Sequence, residues 1–190
     1  MKKKTISTEV LDRAIVFAVH AHAGTERRGK GFPYVVHPLE AVAIVSTMTS
    51  DQELMAAAVL HDTVEDTAVT LEQIRDAFGD RVAALVDVES NIPVDDENKT
   101  DSWHERRQAA LHRLTHASRD AKIVALGDKL SNMRAIARDY ALQGDALWSS
   151  FHVKTREAHE WYYRGLTHAL SELSDTPAYK EFLQLVDQVF

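Results

Sequence analysis

Apolar positions recur along most of this chain with helical rather than strand spacing. Leu11, Ile15, Val19 and His22 fall three or four residues apart, predicting a first helix with these side chains on or near one face. Pro38 can open a second helix in its first turn, where a missing N–H costs nothing, and Val42 and Val45 carry it to about Met48. The run from Leu54 to Val59 has no polar face at all, which predicts a buried helix. Ser50-Asp51-Gln52-Glu53 reads as the capping box that starts it, and it ends near His61. Thr70-Leu71-Glu72-Gln73 reads as a second capping box, opening a short helix to Phe78. Gly79 breaks that helix, and the pattern resumes from Asp80 to about Val88. Asn91 to Thr100 is polar and turn-rich, a surface loop. Ser102 caps a helix to about Ala117. Ser118 or Asp120 then opens the most apolar helix of the second half, with Ile123, Val124, Leu126, Leu130, Met133 and Ile136. Amphipathic helices near Trp148 to Leu173 and Ala178 to Phe190 complete the chain. The expected class is all-α: one domain over residues 1–190, its core about 8–173, built from roughly seven to nine helices.

Composition narrows what such a domain does. Asp plus Glu is 29 against 22 for Lys plus Arg, a net charge of −7, which argues against coating nucleic acid and leaves room for a local basic pocket. The absence of Cys removes disulfides, thiolate nucleophiles and Cys-based zinc sites. Met-Lys-Lys-Lys is followed by Thr5-Ile6-Ser7-Thr8-Glu9 rather than an apolar segment, so no secretory signal is expected. No apolar run reaches membrane-spanning length. A cytoplasmic protein acting on a small molecule is the expectation, with no nucleic-acid or membrane partner; periodicity says nothing of oligomeric state.

The chemistry centres on His61-Asp62-Thr63-Val64-Glu65-Asp66. A polar cluster at the end of a buried helix is costly unless something satisfies it, and a divalent cation would. A neutral nitrogen beside a charged oxygen suits Mn, Fe or Zn better than Ca or Mg. Two neighbouring residues rarely hold a catalytic metal alone, so partners are required. His37, where a loop turns into a helix before Pro38, and Asp128, a carboxylate inside an apolar helix, stand out. Asp128 needs a partner to be buried, and Lys129 is an unpromising one, because side chains one apart on a helix do not face each other. Of the ten His, the others sit among charges on amphipathic segments; His20 and His22 gain interest only from their closeness to the loop Gly24-Thr25-Glu26-Arg27-Arg28-Gly29-Lys30-Gly31.

The set His37, His61-Asp62, Asp128 resembles the HD-domain metal-dependent phosphohydrolases. Arg27 to Pro38, the His-Asp-x-x-Glu-Asp form at 61–66, and Gly127-Asp128-Lys129-Leu130-Ser131-Asn132-Met133-Arg134 narrow the resemblance to the hydrolase domain of the Rel/SpoT alarmone enzymes and to stand-alone small alarmone hydrolases. The matching segments span roughly residues 10–170. No synthetase or regulatory region is expected at this length. The resemblance implies one Mn²⁺ per chain, held by His37, His61, Asp62 and Asp128, with Glu65 and Asp66 orienting or deprotonating the attacking water. It implies removal of the 3′-pyrophosphate from ppGpp or pppGpp, giving GDP or GTP. Arg28, with Arg27 as the alternative, would stack on the base; Lys30 and Arg106 would meet phosphate; Asn132, one turn after Asp128, would bond the nucleotide near its sugar; Arg134 reads as a structural pairing residue. The same site would also accommodate adenosine alarmones or another phosphorylated nucleotide such as NADPH. A degenerate, non-catalytic sensor is the remaining reading, and it predicts a missing ligand or missing acidic pair.

Overall fold

The computed structural model describes residues 7–27, 29–89 and 102–190. Among them it is all helix, with no strand and one isolated bridge, Glu26 to Pro33. Nine helices have eight residues or more: α1 (Glu9–Ala21), α2 (Val36–Val45), α3 (Gln52–Leu60), α5 (Leu71–Phe78), α6 (Asp80–Glu89), α7 (Trp103–His116), α8 (Arg119–Gln143), α9 (Arg156–Ala169) and α10 (Pro177–Val189). A single turn, α4 (Thr63–Asp66), lies between α3 and α5. The all-α expectation holds. The expected surface loop at 91–100 and residue Arg28 lie outside the described residues.

Helix α3 is the floor of the structure. Leu54, Ala56, Ala57, Ala58, Val59 and Leu60 are all buried, enclosed by α1, α2, α6 and α8. Its cap differs from the expected box: Asp51 is the N-cap, accepting from the Glu53 N–H, and Ser50 stands outside. The Thr70–Gln73 box forms in full at α5, and Ser118 caps α8 by accepting from the Ala121 N–H. The face of α1 is also corrected. Ala14 and Ala18 are its buried residues, whereas Val19 is 43% exposed. Apolar spacing alone places Val19 inward, but the small residues let α1 lie close on α3; Ile15 and Phe17 pack against the core while Val16 and Val19 face outward. Trp148 starts no long helix; it sits in a 3-10 segment, Gly144–Ser150, that follows α8.

Helix α8 runs through the middle, touching α2, α3, α6 and α10. It can lie against α2 because residue 127 is Gly. A Cβ there would fall 2.7 Å from Val45 Cγ2 and 2.9 Å from the Ala41 carbonyl oxygen. This contact fixes the separation of two helices, one carrying His37 and the other Asp128.

Gly127→Ala weighs two effects of opposite sign. Helix propensity favours Ala by about 1 kcal/mol. Overpacking against a backbone oxygen that cannot rotate away costs about 1–3 kcal/mol. The variant is expected to unfold at lower urea than the wild type; a higher midpoint would show that α2 and α8 separate freely.

Candidate metal centre and its cavity

The end of α3, the start of α2 and the middle of α8 bring four side chains to one point. His61 Nε2 lies 2.9 Å from Asp62 Oδ2 and 3.4 Å from Asp128 Oδ1. His37 Nε2 lies 3.0 Å from Asp128 Oδ1 and 3.4 Å from Asp62 Oδ2. The two Nε2 atoms are 3.3 Å apart. His37, His61 and Asp128 are each buried and form a cluster with metal-ligand spacing; Asp62 adds a fourth donor beside both imidazoles.

Each imidazole has its other nitrogen committed. His61 Nδ1 donates to the Ala58 carbonyl at 2.8 Å, one turn back in α3, and Thr63 Oγ1 donates to the Leu60 carbonyl at 2.7 Å. The last carbonyls of α3 are thus satisfied by residues of the motif itself. His37 Nδ1 lies 2.8 Å from Ser131 Oγ, whose hydroxyl donates to Glu40 Oε2 at 2.8 Å. The network therefore protonates Nδ1 of both rings and turns both Nε2 lone pairs toward two carboxylates. Four acceptors facing one another in a buried space repel unless a cation lies among them. The Asp62 and Asp128 charges overcome the effect of burial and raise the pKa of the His61 imidazole well above its ordinary value, so a proton is drawn there when no metal is present. Spacings of 2.9–3.4 Å also fit a metal. They approach the ~3.0 Å edge of an octahedron with bonds of ~2.1 Å.

Asp128 is held from behind by a residue that sequence spacing discounted. Lys129 Nζ reaches Asp128 Oδ2 at 2.5 Å and Glu89 Oε2 at 3.0 Å. The rule that adjacent helical residues diverge describes Cβ directions; a four-carbon stem curls back when a second carboxylate, at the end of α6, draws its head to the same place. Burial would lower the Lys129 pKa, but Asp128 and Glu89 raise it well above the usual value and keep it charged. Asn132 Nδ2 donates to Asp128 Oδ1 at 2.5 Å, one turn along. Arg134 bonds Glu40 and Glu181 of α10, as its structural reading expected, and so braces the carboxylate that orients Ser131.

The cluster opens into a cavity of about 480 Å³. Glu65 and Asp66 line it, carried on the one-turn α4. Burial and the neighbouring Asp62 charge raise the Asp66 pKa. Tyr34, absent from the sequence-derived set, donates from its hydroxyl to Asp62 Oδ2 at 2.7 Å, and burial followed by the Asp62 charge keeps that hydroxyl protonated. Arg27, Lys30, Arg106 and Asn132 also line the cavity. Arg27 lies over the Tyr34 ring and donates to Asn132 Oδ1 at 2.6 Å; Lys30 pairs with Asp139; Arg106 donates to Ser102 Oγ at 3.2 Å. Arg107, beside Arg106, faces Trp103 and Tyr162.

A model of the HD domain matches residues 14–155. Among curated proteins, the chain is 37% identical over 135 residues to the guanosine-3′,5′-bis(diphosphate) 3′-pyrophosphohydrolase MESH1 of Danio rerio, covering 70% of this chain and 72% of that protein. It is 35% identical over 139 residues to the GTP pyrophosphokinase rsh of Brucella ovis, and this match spans only 18% of that protein's length. Its fold is similar to the solved structure of a metazoan ortholog of SpoT described as hydrolysing ppGpp and playing a role in starvation responses. There the TM-score is 0.75 at 22% identity, over 99% of this chain and 100% of that one.

Ser131→Ala removes the link from Glu40 to His37 without touching the cluster itself. Mn²⁺ affinity by calorimetric titration is expected to fall about 10–100-fold; an unchanged affinity would show that His37 needs no support.

Proposed function

This chain belongs to the HD-domain family, and we propose that it removes the 3′-pyrophosphate from guanosine alarmones, releasing GDP or GTP. The observation that carries this reading is the meeting of His37, His61, Asp62 and Asp128 at the floor of a cavity lined by both acids and cations. Similarity to the named pyrophosphohydrolase of Danio rerio supports the substrate class.

We assign His37, His61, Asp62 and Asp128 as ligands of one divalent ion; mixed nitrogen and oxygen donors suit Mn, Fe or Zn, and the resemblance to the alarmone hydrolases favours Mn²⁺ among them. When bound there, such an ion polarises a phosphoryl oxygen and lowers the pKa of water. The protein's own part is orientation and proton transfer. Tyr34 holds the Asp62 carboxylate by its hydroxyl. Lys129 holds the far oxygen of Asp128, leaving Oδ1 toward the imidazoles. Glu65 and Asp66 line the same cavity and serve as the pair that orients a water and takes its proton. The raised pKa of Asp66 makes it a stronger base than an exposed Asp. Arg27, Asn132 and Arg106 supply donors to the nucleotide, with Arg28 as the base-stacking residue of the same loop.

The direct test is ppGpp hydrolysis with and without Mn²⁺, resolving pyrophosphate from orthophosphate. Metal-dependent release of pyrophosphate and GDP is expected; release of orthophosphate alone, or activity indifferent to chelation, would overturn the assignment. Asp66→Asn and Glu65→Gln are each expected to lower kcat by about 10²–10⁴-fold while Mn²⁺ still binds. Full activity in both would remove the acidic pair from the reaction.

A further inference from the structure

Two cross-links tie the loop before α2 to helix α8, and they differ in chemistry. Arg27 reaches Asn132, which also bonds Asp128, so this link stands at the metal end of the cavity. Lys30 reaches Asp139, seven residues beyond Asn132 on the same face of α8. Eleven residues separate Asp139 from Asp128, ~16 Å along a helix. Ala135 and Ile136 form the small apolar wall between the two links. Both Lys30 and Asp139 line the cavity, and their side chains are 30% and 20% exposed.

A carboxylate is an unsuitable neighbour for a ligand carrying two diphosphates, since like charges repel. It suits a ligand edge made of N–H donors. The Lys30–Asp139 couple presents a donor beside an acceptor at the far end of an apolar wall. Guanine matches that order: O6 accepts, while N1–H and the 2-amino group donate. Adenine reverses it, setting a 6-amino group against the ammonium and an unprotonated N1 against the carboxylate. We propose that the Lys30–Asp139 pair reads the Watson–Crick edge of the base and makes this site selective for guanosine over adenosine nucleotides. The inference rests on the alarmone-hydrolase reading above. It moves Lys30 from the phosphate role expected of it to a base-reading one. A site with committed hydrogen-bonding groups rejects the wrong base because those groups are left desolvated and unpaired.

The test compares kcat/KM for ppGpp, ppApp and the inosine analogue, which keeps O6 and N1–H but lacks the 2-amino group. Each ratio is taken within one enzyme preparation, so it is insensitive to the folded fraction. Wild type is expected to prefer ppGpp over ppApp by roughly ten- to a hundredfold or more, with the inosine analogue between. Asp139→Ala is expected to collapse the ppGpp to ppApp ratio toward one, and Lys30→Ala to lower it. Three results would overturn the inference: equal rates on both bases in the wild type, an Asp139→Ala ratio like the wild type's, or a Lys30→Ala loss equal for both bases, which marks a phosphate contact. Cleavage of neither nucleotide would instead sink the hydrolase reading itself. Equal cleavage of both would leave that reading standing and remove only base selection.

Discussion

Two carboxylates and two imidazole nitrogens face one another inside a helical protein, each with its remaining hydrogen-bonding capacity largely used elsewhere. Such an arrangement favours a cation among them. Asp62 is held by Tyr34, Asp128 by Lys129 and Asn132, His61 by the Ala58 carbonyl and His37 by Ser131. What is left over points inward, and it is negative. A proton on an imidazole answers part of that demand; a divalent ion answers more of it.

The fold serves this requirement by holding its helices at fixed separations. Helix α3, apolar from Leu54 to Leu60, cannot move without exposing its faces, so His61 at its end is a fixed point. Gly127 sets how near α2 comes to α8. The Glu40–Arg134–Glu181 bridges then connect α2 and α8 to α10, so a helix distant in sequence steadies the ring of His37. Stability and function share these contacts, because a shift of either helix separates the donors.

Much of this is legible in the sequence. His61-Asp62 and Asp128 stand out because they conflict with their apolar surroundings, and residues in conflict with local pattern mark functional positions; His37 stands out by its place before Pro38, and the resemblance joins the four. Helix order and the caps at Thr70 and Ser118 followed from spacing and residue type. Val19 did not follow, because period alone cannot tell which of two apolar stripes packs when alanines allow the closer approach. Lys129 was discounted by a rule about neighbouring Cβ directions that a long, flexible stem escapes. Ser131 and Glu40 gave no signal, since a hydroxyl among apolar residues and an exposed-looking acid acquire meaning only when 91 residues of separation close to 2.8 Å. Tyr34 and Asp139 were hidden likewise: ordinary residues whose partners lie 28 and 109 positions away.

The central claim concerns where a metal sits. Crystals grown with Mn²⁺ and measured at the manganese absorption edge would locate it by anomalous scattering, independently of any activity. The account predicts one strong peak per chain within bonding distance of His37 Nε2, His61 Nε2, Asp62 and Asp128 Oδ1. A peak elsewhere, or none while Asp128 remains turned to Lys129 alone, would contradict it.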